Sequence, residues 1–481
     1  MNGQSFVARK SVASIIAGGE SAGHNLAKTL GPISITAMGV GAIIGAGIFV
    51  LTGTAAAHYA GPAIMLSFVL GGVACAFVGL CYAELAALLP VSGSTYTYTY
   101  ATLGELAAWI IGWDLVLEYA MGAATVSVGW SGYIVSLLHN IGITIPPTLA
   151  AAPGVDVTLP DGSTTHGLVN IPAAVIVGLL TLILTMGVKE SARLNTIMVA
   201  LKLVVVLAFI LLGVGYIHTA NWSPFIPDNA GAFGQFGWSG VLRGASVVFF
   251  AFIGFDAVST CAQEAKQPQR DMPIGILGSL VICTILYIAV SAVLTGLVPY
   301  KDLAVPDPIA KGVDAIGMTW FSVIIKLGAL IGLTTVILVL LYGQSRIFFT
   351  MADDGLLPGL FARVHPTLQT PYLSQITIGV VVAIVAALTP IDVLGEMVSI
   401  GTLFAFILVC GAVIYLRRSA ADTPRPFRTP SVPWVPILGI LFCLALMLGL
   451  PLVTWLRLVV WLVIGLVVYF LYGARHSRLQ R

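Results

Sequence analysis

The chain has 481 residues, 58% of them hydrophobic and 9% charged, with a formal net charge of +2. A soluble domain carries roughly a quarter charged residues, and no soluble fold could hide this much apolar surface, so the surroundings of the chain are a lipid bilayer. The small net charge and the lack of a basic cluster argue against a nucleic-acid partner.

The first residues carry Arg9 and Lys10 without the apolar core that a cleavable signal needs, and 1–33 reads as a cytoplasmic segment. Apolar runs then recur at the length required to cross roughly 30 Å of lipid tails. They cover 34–57, 62–89, 97–138, 171–188, 192–217, 239–262, 273–298, 316–350, 374–389, 393–416, 433–453 and 455–473. The expected fold class is an all-α polytopic membrane protein with twelve transmembrane helices; a spanning β-barrel would show short alternating segments instead. The third and eighth runs are long enough to be one tilted helix or a span plus an interfacial piece. Between the third and fourth runs, Leu159-Pro160-Asp161-Gly162-Ser163 is a turn signal that predicts a small extracellular hairpin or ordered loop.

Basic residues test this count independently, because cytoplasmic loops collect Lys and Arg. With both termini cytoplasmic, the outside loops hold only Lys301, Lys311 and Arg457, while Lys202, Arg243 and Lys326 fall within helices. The rest of the 22 Lys and Arg lie inside, as expected of a multi-pass protein of the inner (plasma) membrane. The six cysteines stand singly in apolar runs, so neither a disulfide framework nor a metal site is expected. No nucleophile triad or nucleotide fingerprint appears in usable context, so the chain is not read as an enzyme and no cofactor is expected.

The first run contains Gly39-Val40-Gly41-Ala42-Ile43-Ile44-Gly45-Ala46-Gly47. Small residues can form a close-packing seam, but Gly45 and Gly47 are too closely spaced to share one face, which favours an unwound stretch. The sixth run has a comparable interruption at Phe250-Ala251-Phe252-Ile253-Gly254-Phe255-Asp256. Interrupted helices at matching places in two halves point to a transporter's midplane site. Unwinding would bare N–H groups near Ala46 and Gly47 for a carboxylate. Carbonyls of Ile43, Ile44, Phe250, Ala251 and Ile253 could take an ammonium group.

These residues resemble the amino acid–polyamine–organocation (APC) superfamily, specifically its bacterial cationic amino acid transporter (CAT)-like branch. The resemblance rests on GAIIGAGIFVLTG at 41–53, CYAELAALLPVSGSTYTY at 81–98, GVKESARLN at 187–195, FFAFIGFDAVST at 249–260, EAKQPQRDMPIGI at 264–276, YGQSRIFFTMADDGLLP at 342–358, SIGTLFAF at 399–406 and RPFRTPSVPWVPILGI at 425–440. It implies a 5+5 inverted-repeat core with broken helices 1 and 6 (the LeuT-like fold), and secondary transport of amino acids, usually with a proton as coupling ion. The implied organisation is 34–217 as first repeat, 218–416 as second, 417–473 as a cytoplasmic loop with helices 11 and 12, and 474–481 as a cytoplasmic tail. The implied substrate site is Gly45, Ala46, Gly47, Phe250, Ala251 and Ile253, to which the helix-end carbonyls of Ile43 and Ile44 add. Relatives commonly have Ser or Thr where this chain has Ala46.

Lys202 lies about ten residues into the fifth run, hence about 15 Å deep, beyond the reach of a snorkelling stem. In relatives this lysine approaches the first and eighth helices, which makes it the candidate proton-coupling residue. Glu118 and Asp256 are further membrane-embedded candidates, with Asp114 one turn from Glu118. Glu84, Glu105 and Glu396 stand near predicted helix ends and read as solvated or capping; Arg270 and Asp271 could face Asp353 and Asp354 in a cytoplasmic gate network, with a solvated loop as the alternative. The leading expectation is a proton-coupled amino acid permease working by alternating access. An exchanger using the same site, a channel and a non-transporting sensor are the alternatives. Cationic and small or medium neutral substrates both stay open, as does the oligomeric state.

Overall fold

The computed structural model describes residues 30–89, 94–159, 162–187, 192–256, 258–259, 262, 265–368, 370–419 and 424–479. Most of the amino-terminal segment, Lys189 and Arg481 lie outside them. Among the described residues, seven stretches are long and apolar enough to cross a membrane, and five shorter apolar helices accompany them.

Helix α1 (Pro32–Ile43) starts on a proline, whose missing N–H costs nothing in a first turn, and stops at Ile44, whose backbone is extended. The chain resumes as a π-helical turn, Gly47–Leu51, and continues through Thr52–Ala55 and Ala56–Ala60. Then come α2 (Ile64–Leu88), α3 (Ser94–Thr102) and α4 (Glu105–Asn140). The third apolar run is therefore two helices, parted at Leu103-Gly104, where Gly104 takes φ +96°. Between α4 and α5 (Ile171–Thr185) the chain forms an antiparallel hairpin, β1 (Asp156–Thr158) with β2 (Thr164–His166). Asn170 caps α5, its side chain accepting from the Ala173 amide at 3.2 Å and from Ser131 at 2.7 Å.

Helix α6 (Ala192–Gly213) precedes α7 (Gly237–Val248), which tightens into a 3-10 turn at Phe249–Phe252 and breaks at Ile253. Then follow α8 (Pro268–Leu297), α9 (Pro308–Ala315), α10 (Thr319–Asp353), α11 (Tyr372–Leu388), α12 (Ile391–Ser419), α13 (Trp434–Leu448) and α14 (Leu452–Val468). The eighth run is one long helix, with α9 as a separate piece before it. Packing pairs α8 with α2, α10 with α4 and α11 with α5, and the turn at Gly47–Leu51 meets that at Phe249–Phe252. Large apolar side chains such as Val175 and Leu179 on α5, Val204 and Leu211 on α6, Val380 and Ile384 on α11 and Leu456 and Val463 on α14 face outward. Such faces suit hydrocarbon, where helices satisfy their own backbone.

The end of the bundle that carries the chain's carboxy terminus is held by buried carboxylates. Glu84 accepts from Arg417 at 2.9 Å and from the Thr429 amide at 2.7 Å. Glu105 accepts from Tyr100 at 2.9 Å, Tyr469 at 3.0 Å and Ser477 at 2.5 Å. This corrects the solvated reading of these residues: each carboxylate is buried, and burial is tolerable because several donors from distant segments converge on it. Nor do Arg270 and Asp271 join Asp353 and Asp354. Asp271 receives the Gln267 amide at the start of α8, whereas Asp353 pairs with Arg478 and Asp354 accepts from Tyr96. The opposite end carries β1 and β2 and is called the hairpin end below.

Candidate functional site

The two helix breaks face each other. An added Cβ on Gly47 would sit 2.2 Å from the Ala251 Cα, so the approach of the two broken helices leaves room for hydrogen alone. Gly254 takes φ +111° and would bring a Cβ within 2.9 Å of the Ala42 carbonyl oxygen, two reasons why the second break needs glycine. Between the breaks lies a cavity of about 20 Å³, room for little more than one water. Its walls are Ala42, Ile43, Gly45, Ala46 and Gly47 from the first break, Phe250 and Ile253 from the second, Gly122 and Val126 from α4, and Val336 and Leu340 from α10.

Of the residues expected from the sequence, Ile43, Gly45, Ala46, Gly47, Phe250 and Ile253 thus share one cavity. Ile44 and Ala251 stand just behind the wall. The Ala251 carbonyl oxygen lies 2.8 Å from the hydroxyl of Tyr287, which is also 2.8 Å from the Ile43 carbonyl oxygen. Tyr287, on α8, therefore bridges both breaks. One hydroxyl has one proton, so it serves one carbonyl at a time and leaves acceptor capacity at the other. On the far side of the first break, Lys202 donates to the carbonyl oxygens of Gly41 at 2.8 Å and Ile44 at 3.4 Å. The last carbonyls of a helix lack intrahelical partners and carry partial negative charge, which a buried cation complements. The lysine stem also runs along Gly332 of α10, 3.2 Å from where its Cβ would be. Lys202 does not line the cavity; it touches the backbone that does.

Glu118 and Asp256 are fully or almost fully buried on the carboxy-terminal side of the cavity. Glu118 precedes Gly122 by one turn of α4 and faces Asp256 and Thr402, and Asp256 accepts from Tyr119 at 3.0 Å. Neither carboxylate is in the cavity wall. The start of the half-helix at Gly47 offers N–H groups to an anion, the breaks offer carbonyls to a cation, and the rest of the wall is apolar.

The amino acid permease family profile matches residues 30–475. The chain belongs to that family. This permease is a CAT-like member of the APC superfamily, and its relatives are transporters rather than enzymes. It is 50% identical over 474 residues to the branched-chain amino acid permease BcaP of Bacillus subtilis (strain 168), covering 98% of each chain. It is 47% identical over 462 residues to the methylthioribose transporter of the same organism, covering 96% of this chain and 97% of that one. To cationic amino acid transporter 9, chloroplastic, of Arabidopsis thaliana it is 40% identical over 401 residues, 82% of this chain and 68% of that one. The permease is thus an integral membrane protein of amino acid transport.

Sequence reasoning missed Tyr287, Ala42, Gly122, Val126 and Val336 as parts of the site. Of the apolar stretch Ile337 to Leu341 in the eighth run, Leu340 lines the cavity.

Proposed function

We propose that the permease is a secondary active symporter that moves amino acids with small or medium apolar side chains together with protons, by alternating access. The observation that carries this reading is the cavity where the two breaks meet, walled by glycines and apolar side chains alone. The substrate carboxylate would sit at the N–H groups from Gly45 to Gly47, its ammonium group at the carbonyls of the two breaks, and its side chain toward Val126, Val336 and Leu340. A cationic side chain would find no carboxylate in this wall. The name of the branched-chain permease relative agrees with an apolar substrate.

Twelve spans with both termini cytoplasmic and a 5+5 inverted-repeat core are part of the same proposal. Support comes from the pairing of α2 with α8, α4 with α10 and α5 with α11, each pair five spans apart, and of the two breaks with each other. Lys202 is the proposed proton-coupling residue: losing its proton would withdraw the cation that holds the Gly41 and Ile44 carbonyls, and the first break borders the substrate.

The deciding experiment is uptake of labelled valine or leucine into proteoliposomes with and without an inward proton gradient, with arginine and methylthioribose as competitors. Accumulation should require the gradient, and only apolar amino acids should compete. Accumulation indifferent to the gradient but dependent on internal amino acid would make the protein an exchanger. Competition by methylthioribose, which has neither carboxylate nor ammonium, would overturn the assigned site chemistry.

A further inference from the structure

Arg243 is on α7, two turns before Phe250, and its side chain is 8% exposed. Each of its contacts comes from a different part of the fold. Nη2 donates to Glu396 of α12, Nη1 donates to the Gly449 carbonyl in the α13–α14 turn at 3.2 Å, and the guanidinium carbon lies 5.0 Å from the Tyr59 ring centroid. Tyr59 belongs to the last turn of the first broken helix, and its carbonyl accepts from the Phe236 amide at 2.9 Å just before α7. Glu396 is engaged again from behind: its Oε2 accepts from Thr454 at 2.5 Å and stands 3.7 Å from the Arg457 Nη1, both on α14.

A desolvated ion pair adds little net stability to a fold, because removing both charges from water costs about as much as their attraction returns. The same balance makes such a pair a good latch. Separating both charges into water together is nearly neutral, whereas removing one partner penalises only the state in which the other stays buried. Here the pair connects the hairpin-end halves of both broken helices to α12 and to the turn between the last two helices. A permease that exposes its cavity alternately must move those half-helices away from their neighbours.

We propose that Arg243 and Glu396 form the lock that keeps the hairpin-end approach to the cavity shut, and that the α13–α14 turn, through Gly449 and Thr454, is its fixed seat. The last two helices, outside the ten-helix core, thereby take part in gating. This rests on the alternating-access reading, and the test separates the two.

Spin labels on cysteines replacing Trp238 of α7 and Leu452 of α14, both exposed at the hairpin end, report the opening directly by pulsed electron-spin distance measurement. In the otherwise native chain the short distance should dominate. Glu396→Gln should raise the population of a longer distance at least tenfold without substrate, and Thr454→Val should do so by a smaller factor while leaving the fold intact. The charge swap Arg243→Glu with Glu396→Arg should return the distribution toward the short distance. A distribution unmoved by Glu396→Gln and Thr454→Val, in protein that still binds labelled valine, overturns the lock. A distribution that shifts as expected in protein that moves no amino acid upholds the lock and overturns the transport reading.

Discussion

Lys202 reaches from α6 to donate to the Gly41 carbonyl oxygen across 2.8 Å, placing a buried cation at the carboxy-terminal end of α1. The contact is with backbone that shapes the cavity between the two breaks, not with the cavity itself. Replacing Lys202 with Ala should therefore cut proton-driven accumulation by more than about tenfold, equivalent to about 1.4 kcal/mol, while equilibrium binding of valine changes by only a few-fold. Parallel uptake and binding assays on the same preparation check this. Equal loss in both would reduce the lysine to a structural role.

The Tyr287 hydroxyl, between the Ile43 and Ala251 carbonyls, leads to a different expectation. Tyr287→Phe deprives two buried carbonyls of their shared donor, and an unmet buried acceptor costs about 1 to 3 kcal/mol. Thermal stability should fall, and KM should rise more than kcat falls, because the carbonyls expected to receive the ammonium group lose their fixed aim. A variant with unchanged KM would show that the bridge does nothing for the substrate.

The two breaks were legible in the sequence because glycine is costly in a helix interior, and Gly45, Gly47 and Gly254 stand where no packing seam needs all of them. Lys202 was legible because a charge at that depth is too costly to be incidental. Tyr287 was not: a tyrosine in an apolar helix is ordinary, and its partners come from two other helices remote in the chain. Val126 and Val336 were hidden for a related reason, since an apolar pocket wall has the composition of an apolar core. Most partners of Glu84, Glu105 and Glu396 also lie far away in sequence, so position near a helix end, which suggested solvation or capping, did not reveal them.

Gly45 and Gly47 should respond differently to the same methyl group. At Gly47 the added carbon would lie 2.2 Å from the Ala251 Cα, which cannot yield without moving the second broken helix; at Gly45 it would lie 3.4 Å from a Val336 methyl, ordinary contact. Gly47→Ala should abolish valine binding and lower thermal stability by an amount typical of overpacking, about 1 to 3 kcal/mol. Gly45→Ala should keep stability and narrow the cavity, so that leucine loses affinity before alanine does. Competition binding with alanine, valine and leucine separates the two cases, and an identical profile for both variants would contradict the close approach at Gly47.

Asp307, just before α9 at the hairpin end, gives the permease a group whose pH response follows from its surroundings. Burial pushes its carboxyl above the usual range, and the Ser136 hydroxyl at 2.5 Å and Lys326 at 3.8 Å only partly oppose this. Because the folded value lies above the unfolded one, the folded state binds this proton more tightly. The stability linked to Asp307 is then fully present below the unfolded value of about 3.9 and is lost as pH rises through the raised folded value. Asp307→Asn cannot lose a proton and should lack this dependence. The stability of Asp307→Asn relative to the native chain should therefore improve as pH rises from about 4 to 7, whatever constant offset the exchange of a carboxyl for an amide adds. Ser136→Ala should steepen the native dependence, since removing that donor raises the carboxyl further. Thermal unfolding of the three proteins across this range measures the slopes, and parallel curves for the native chain and Asp307→Asn would show that Asp307 does not titrate as its burial requires.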